Sequence, residues 1–274
     1  MPKRLKIGIV GCGAIGSSLA KVVLENFSQE AELTGIYDIQ TEKAYQLAIK
    51  LGNTKLAVLS LESLINKKVD LVIEATRLES SFEIAQKTIS LGSNIMIMSV
   101  GGIIEHYPQL VALAKEKNAH IYIPSGAVAG IDGLKAAVFG KIKKIILTTK
   151  KPPQAFLGVP YVLKRKVNLE NLKEETILFE GDVLTATRAF PQNINVAATL
   201  SLAGRGFKDI VVRIVASPKI KQNIHEVEIE SEAGRIITRT ENVVHPKNPK
   251  TSYLAVLSAI ATLKQILEPI RVGT

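Results

Sequence analysis

At 274 residues, 46% of them hydrophobic, the chain has the length of two domains and too much apolar content for disorder. Its formal charge of +10, from 35 basic and 25 acidic residues, raises nucleic acid and membrane surfaces as partners to be weighed. The single cysteine excludes an intramolecular disulfide and a cysteine-based metal cluster, and points to a reducing, intracellular setting.

The N-terminal Met-Pro-Lys-Arg-Leu-Lys is basic, but the apolar run after it, Ile7–Val10, is only four residues long. A secretory segment needs roughly 7–15 apolar residues and a membrane span about 20, so a cytoplasmic protein with no membrane partner is expected. Leu5–Val10 reads as a strand ending in glycine. Residues 14–27 read as a helix whose one face carries Ile15, Leu19, Val22, Val23 and Phe27. Glu32–Tyr37 is a second strand, 42–51 a helix, Leu56–Leu59 a short strand and Asp70–Ala75 a stronger one. A helix over 80–91 leads into the apolar strand Asn94–Val100, and a helix over 108–117 precedes the strand His120–Pro124. Strands without polar interruption are buried on both faces. The alternation therefore predicts an α/β domain: a Rossmann-type, doubly wound parallel sheet over residues 1–124.

From residue 125 the pattern changes. Ile142–Thr149, Thr176–Glu180 and Ile210–Ala216 read as strands, and His225–Glu230 alternates apolar and charged residues. Ala233-Gly234 turns that strand into Arg235–Thr240 as a hairpin. Helical patterns fall at 130–139, 194–203 and 251–268. Residues 125–250 are expected to form a C-terminal α+β domain with a mixed, largely antiparallel sheet, catalytic and dimerising. The last helix, within 251–274, is expected to return and complete the dinucleotide-binding domain.

Gly11-Cys12-Gly13-Ala14-Ile15-Gly16 fits G-x-G-x-x-G between a buried strand and a helix, and Asp38 ends the second strand 22 residues after Gly16. Gly11 would permit the tight turn, Gly13 the approach of a pyrophosphate to backbone, and Gly16 close packing of helix on strand. The pyrophosphate would sit on the helix N-terminus. Asp38 would accept from the adenosine ribose hydroxyls and repel a 2′-phosphate, favouring NAD and leaving NADP as the second choice. Cys12 is read as a small filler of the turn. Ala75-Thr76-Arg77 and Ser99-Val100-Gly101-Gly102 follow later strands of the sheet, where ribose and nicotinamide pass in such folds.

In the second half, Pro124-Ser125-Gly126-Ala127, Lys151-Pro152-Pro153, the run Phe190-Pro191-Gln192-Asn193-Ile194-Asn195-Val196-Ala197, Asn223-Ile224-His225 and Asn248-Pro249-Lys250-Thr251-Ser252 stand out. With the glycine turn, their order and spacing resemble the L-aspartate dehydrogenase family over essentially the whole chain. The resemblance implies oxidation of L-aspartate with NAD or NADP to iminoaspartate, which hydrolyses to oxaloacetate and ammonia and can feed NAD biosynthesis. It also implies that His225 is catalytic and that Ala127 and Asn195 touch the cofactor.

The residues support that reading separately. Oxidising an amine to an imine removes a proton from nitrogen, and imidazole titrates near working pH. Of the four histidines, His106 at a helix start and His120 at a strand start read as solvated or capping groups, while His245, before a proline, is the rival to His225. Two substrate carboxylates call for donors and positive charge: Lys250, Thr251 and Ser252 at a helix N-terminus, supplemented by Asn193, Thr149 and Lys150. Thr251 and Ser252 read equally as helix caps. The dispersed histidines and unclustered acids offer no metal site.

Alternatives are an imine reductase of the dihydrodipicolinate reductase type and a non-catalytic NAD-binding regulator or nucleic-acid binder. The histidine- and lysine-rich stretch of the former is absent from the sequence, as are a helix-turn-helix and an aromatic-interleaved basic stripe. A homodimer is expected through an apolar face of the second sheet. Nine Lys or Arg residues against Glu170 alone between residues 141 and 173 place much of the excess charge in that domain. That charge reads as a solvated surface that also draws anionic ligands, so no nucleic-acid partner is expected.

Overall fold

The computed structural model describes residues 3–191, 194–204, 210–246 and 248–273, without the side chains of residues 248–250. The chain divides into two compact units. One comprises residues 1–124 and 256–271, the other residues 125–255 and 272–274.

The N-terminal unit alternates strand and helix in chain order: β1 (Leu5–Val10), α1 (Ala14–Asn26), β2 (Ala31–Tyr37), α2 (Thr41–Lys50), α3 (Leu61–Ile65), β3 (Leu71–Glu74), α4 (Leu78–Ser90), β4 (Asn94–Ile97), α5 (Tyr107–Lys117) and β5 (Ile121–Tyr122). The sheet order is β2-β1-β3-β4-β5, with every pair parallel. Ile7, Ile9, Ile36, Leu71, Ile73 and Met96 are buried, because helices cover both faces and β-branched residues fill the layer between them. Leu19 and Val23 of α1 close one side of this core, together with Ala259 and Leu263 from the last helix. The chain passes from β2 across β1 to β3, so the topological switch lies at the carboxyl ends of β1 and β3. Ligands in open α/β sheets bind at such points.

Two strand expectations in this unit are corrected. Leu56–Leu59 is not a strand: residues 54–56 form a 3-10 turn capped by Asn53, and only Ala57 bridges to Ile36. The strand expected over Asn94–Val100 stops at Ile97, and residues 100–102 coil into a second 3-10 turn. Gly102 permits that turn, since a Cβ there would lie 2.1 Å from the Leu78 carbonyl oxygen.

The C-terminal unit contains α6 (Ile131–Ala137), β6 (Ile142–Lys151), α7 (Pro160–Lys164), β7 (Thr176–Gly181), α8 (Val183–Ala189), α9 (Asn195–Ala203), β8 (Ile210–Ala216), β9 (Asn223–Ser231), β10 (Gly234–Asn242), β11 (Val244–His245) and β12 (Asn248–Ser252); α10 (Tyr253–Leu267) follows. Its five-stranded sheet has the order β10-β9-β6-β8-β7, antiparallel except for the β6–β8 pair. The buried side is built from Ile145, Leu147, Ile214, Val227 and Ile229. Phe156, Tyr161, Phe179 and Phe190 form an aromatic cluster with ring centroids 5.2–6.1 Å apart.

The opposite face is not the apolar surface expected from the sequence. The even-numbered positions of β9 place Glu226, Glu228 and Glu230 there, and β10 places Arg235 and Arg239 beside them. Arg239 pairs with Glu226 and Glu241, Arg235 with Glu228, Lys150 with Glu175 and Glu226, and Arg213 with Glu180. Strand periodicity of two puts charge on every second residue of this surface, with Ile237 and Ile177 as exposed apolar interruptions.

Candidate active site

The three glycines of the first turn are constrained differently. Gly11 has φ +97°, and a Cβ there would stand 2.3 Å from the Ala75 carbonyl oxygen. A Cβ on Gly16 would stand 1.8 Å from the Gly11 carbonyl oxygen. Protein packing therefore accounts for both. Gly13 has an ordinary φ of −71°, and nothing lies within 4 Å of its Cβ position. Packing gives no reason for glycine at position 13; an open backbone at the start of α1 fits a pyrophosphate that must approach unpaired N–H groups closely. Ala14 and Ile15 form the first turn of α1, behind this opening.

Asp38 closes the turn from β2. One carboxylate oxygen accepts from the Cys12 N–H at 2.8 Å and the other from the Gln40 N–H at 2.9 Å. Each oxygen retains a lone pair for a ligand hydroxyl, but the group is also a brace of the glycine turn, a role the sequence did not reveal. The Cys12 thiol is buried, donates to the Tyr37 carbonyl at 3.8 Å, and is pushed up to about 12 by burial and then by the Asp38 charge. It is a protonated filler.

Sequence reasoning missed Glu74, the last residue of β3. Its carboxylate is fully buried and accepts four hydrogen bonds. One oxygen receives Thr76 N–H at 2.7 Å and Thr76 O–H at 2.6 Å; the other receives Ser99 N–H at 3.0 Å and Ser81 O–H at 3.1 Å. Ser99 also donates its hydroxyl to the Thr76 carbonyl at 2.8 Å. The loops after β3 and β4, which hold the expected cofactor residues Ala75, Thr76 and Ser99, are thus joined by one carboxylate. The available signal was an acid at the carboxyl end of an otherwise apolar parallel strand.

In the C-terminal unit His225 is 6% exposed and lies opposite Thr149 across the β6–β9 ladder. The Thr149 hydroxyl and His225 Nδ1 are 3.0 Å apart. The expected pKa near working pH is corrected: burial, and then the Lys151 charge, push the imidazole down to about 3. Removing a cation from water is costly, so the ring is neutral at neutral pH. In the tautomer that donates from Nδ1 to Thr149, Nε2 keeps the lone pair a base requires.

On the other side of His225, Thr240 is its register partner on β10. Thr240 donates to the Ala127 carbonyl at 2.9 Å, and Asn242 donates to the same oxygen at 3.1 Å. Asn242 in turn accepts from the Ser252 hydroxyl at 2.8 Å. The structure therefore gathers three expected residues, His225, Ala127 and Ser252, through Thr240 and Asn242, neither of which the sequence singled out.

Other expectations are only partly met. The segment 248–252 is strand β12, paired with β11, and Ser252 directs its hydroxyl to Asn242; α10 begins at Tyr253. Thr251 is half-buried in β12. Asn193 and the Lys250 side chain lie outside the described residues, and Asn195 opens α9 with an exposed side chain. Lys150 faces away from His225, toward Glu175 and Glu226. Its neighbour Lys151 shares the face of Thr149. His245 is buried against the Tyr253 ring, 5.5 Å between centroids. His106 stacks on Phe82 at 4.2 Å. Among the described residues no group of three or more His, Cys, Asp or Glu side chains could hold a metal ion, and no helix is long and apolar enough to cross a membrane.

Comparison with known proteins agrees with both halves. Residues 11–124 match the NAD binding domain of homoserine dehydrogenase, and residues 132–266 match the C-terminal family of aspartate dehydrogenase. L-aspartate dehydrogenase of Methanosarcina mazei is 46% identical over 98% of this chain and 100% of its own length. That of Methanosarcina acetivorans is 44% identical over the same shares. The crystal structure of aspartate dehydrogenase from Thermotoga maritima superposes with a TM-score of 0.77 at 28% identity, covering 99% of this chain and 100% of that one. The chain is an oxidoreductase with an NAD-binding domain and belongs to the L-aspartate dehydrogenase family.

Proposed function

We propose that the protein oxidises L-aspartate to iminoaspartate with NAD, and that water then converts the imine to oxaloacetate and ammonia, a route into NAD biosynthesis. The observation that carries the reading is the neutral, buried imidazole of His225, held by Thr149 in a chain whose relatives are named L-aspartate dehydrogenase. A nicotinamide cofactor held at Gly11–Gly16 would supply the acceptor for the hydride that leaves the substrate Cα–H bond. Nitrogen's lone pair becomes the C=N bond, and His225 Nε2 accepts the N–H proton. An imidazole this reluctant to protonate is a weak base on its own. Two substrate carboxylates beside it favour the imidazolium and raise its proton affinity once substrate is in place.

Gly11–Gly16 hold the pyrophosphate and Asp38 the adenosine ribose. Ala75, Thr76 and Ser99 line the nicotinamide half, and Ala127 and Asn195 complete the cofactor contacts. Asn193, Lys250, Thr251 and Ser252 contact the substrate. NADP is the weaker cofactor because Asp38 repels its 2′-phosphate. We place the enzyme in the cytoplasm as a homodimer acting on small molecules, without nucleic-acid or membrane partners. The test is NADH formation from L-aspartate and NAD⁺ at alkaline pH, with wild type and His225→Asn compared. Turnover by wild type and its loss in the variant are expected. No turnover of L-aspartate by wild type, or undiminished turnover by the variant, overturns the proposal.

A further inference from the structure

We infer that Lys151, on the same face of β6 as Thr149, is the cation that binds a substrate carboxylate beside His225. The inference rests on the reading of His225 as the catalytic base and adds to it a residue not among those expected to contact substrate.

The geometry comes from the sheet. Thr149 is in register with His225 and hydrogen-bonds its ring. Strand side chains alternate, so Lys151, two residues on, presents to that same face while Lys150 points to the other. Lys150 is engaged there, with its ammonium 3.1 Å from Glu175 and 3.6 Å from Glu226. The Lys151 backbone is fixed from its far side, where its carbonyl accepts from the Ser217 N–H at 2.9 Å and its Cα faces Ala216 of β8. Lys151 is the last residue of β6, two residues along the strand from the cross-strand row of Thr149, His225 and Thr240 and on the same face of the sheet.

The electrostatics agree with the placement. Burial pulls the Lys151 ammonium down to about 8, and its charge is the second cause of the low His225 pKa. A half-buried ammonium on the face of the base is suited to a carboxylate, whose charge favours its protonated form. Together with burial, the larger cause, the same ammonium disfavours protonation of His225. A bound carboxylate offsets its charge and frees the ring to accept a proton. Lys151 would thus couple carboxylate recognition to the basicity of its neighbour.

The test uses the full-length enzyme and succinate, a dicarboxylate without an amine, as an inhibitor competing with L-aspartate. Lys151→Met is expected to weaken succinate inhibition and raise the KM for L-aspartate by about 30-fold or more, the range for leaving one partner of a desolvated charge pair alone. NAD⁺ affinity, measured by calorimetry, stays within about twofold. Lys151→Arg keeps the charge and retains succinate inhibition. If Lys151→Met does not fold, Lys151→Gln and Lys151→Arg carry the same contrast. Succinate inhibition and KM unchanged in the neutral variant overturn the inference, as does equal loss in the neutral and arginine variants. Failure of wild type to oxidise L-aspartate would instead overturn the reading on which it rests.

Discussion

The low proton affinity of His225 has a consequence for stability that can be measured without turnover. In the unfolded chain a histidine titrates at about 6.5, whereas in the fold His225 titrates at about 3. Between these values the unfolded state binds a proton that the folded state refuses, so stability falls as pH drops through 6.5 and goes on falling toward 3. Integrating the linkage from pH 7 to pH 5 gives a loss of about 2 kcal/mol from this residue. Asparagine is the suitable replacement, since its amide occupies the place of Nδ1 and keeps a partner for the Thr149 hydroxyl. Urea unfolding of wild type and His225→Asn at both pH values isolates the effect. The remaining histidines and the carboxylates titrate alike in the two proteins and cancel in the difference. Wild type should lose about 2 kcal/mol more than the variant over this interval. Equal losses would show that the ring takes up protons normally in the fold, and the neutral-base argument would fall with it.

Two further predictions concern the glycine turn. Gly16→Ala forces a Cβ to within 1.8 Å of a carbonyl oxygen and should lower stability by about 3 kcal/mol or more. Gly13→Ala meets no protein atom, so thermal unfolding should change by less than about 0.5 kcal/mol while NAD⁺ affinity drops at least about tenfold. A Gly13→Ala protein that binds NAD⁺ normally would remove the argument for the turn as a cofactor cradle. The Cys12 thiol, raised from 9.0 to about 12, should react with iodoacetamide at pH 8 about 1,000-fold more slowly than in urea-unfolded protein. Comparable rates in the two states would contradict a buried, protonated side chain.

The parallel sheet was legible because its strands are apolar without interruption, and the hairpin of β9 and β10 because one of its strands alternates strictly. Leu56–Leu59 misled for a physical reason: a short apolar run buried beside a sheet looks the same whether it coils or extends. α3, α7 and α8, at 5, 5 and 7 residues, are too short for periodicity to mark. His225 could be picked out by its chemistry and its place on an alternating strand. Lys151, Thr240 and Asn242 could not, because their relevance depends on which strands pair and in what register. The choice of Lys150 over Lys151 shows the cost. Adjacent lysines face opposite sides of the sheet through a single step of strand alternation, and which of them shares the face of His225 is legible only once Thr149 is known to stand opposite it. The low pKa of His225 was hidden for the same reason, since burial is a property of the whole unit.

The Asn242 amide bears on how substitutions in this region will read. Its nitrogen holds the Ala127 carbonyl and its oxygen holds the Ser252 hydroxyl, so a proposed cofactor contact and a proposed substrate contact share one side chain. Removing the Ser252 hydroxyl frees the amide to turn, and the Ala127 carbonyl then loses one of its two donors. Ser252→Ala should therefore disturb NAD⁺ and L-aspartate together, and its effect should not add to that of Asn242→Ala. A double-mutant cycle will report a sizeable coupling between them, where either substitution alone would be mistaken for a defect in a single ligand.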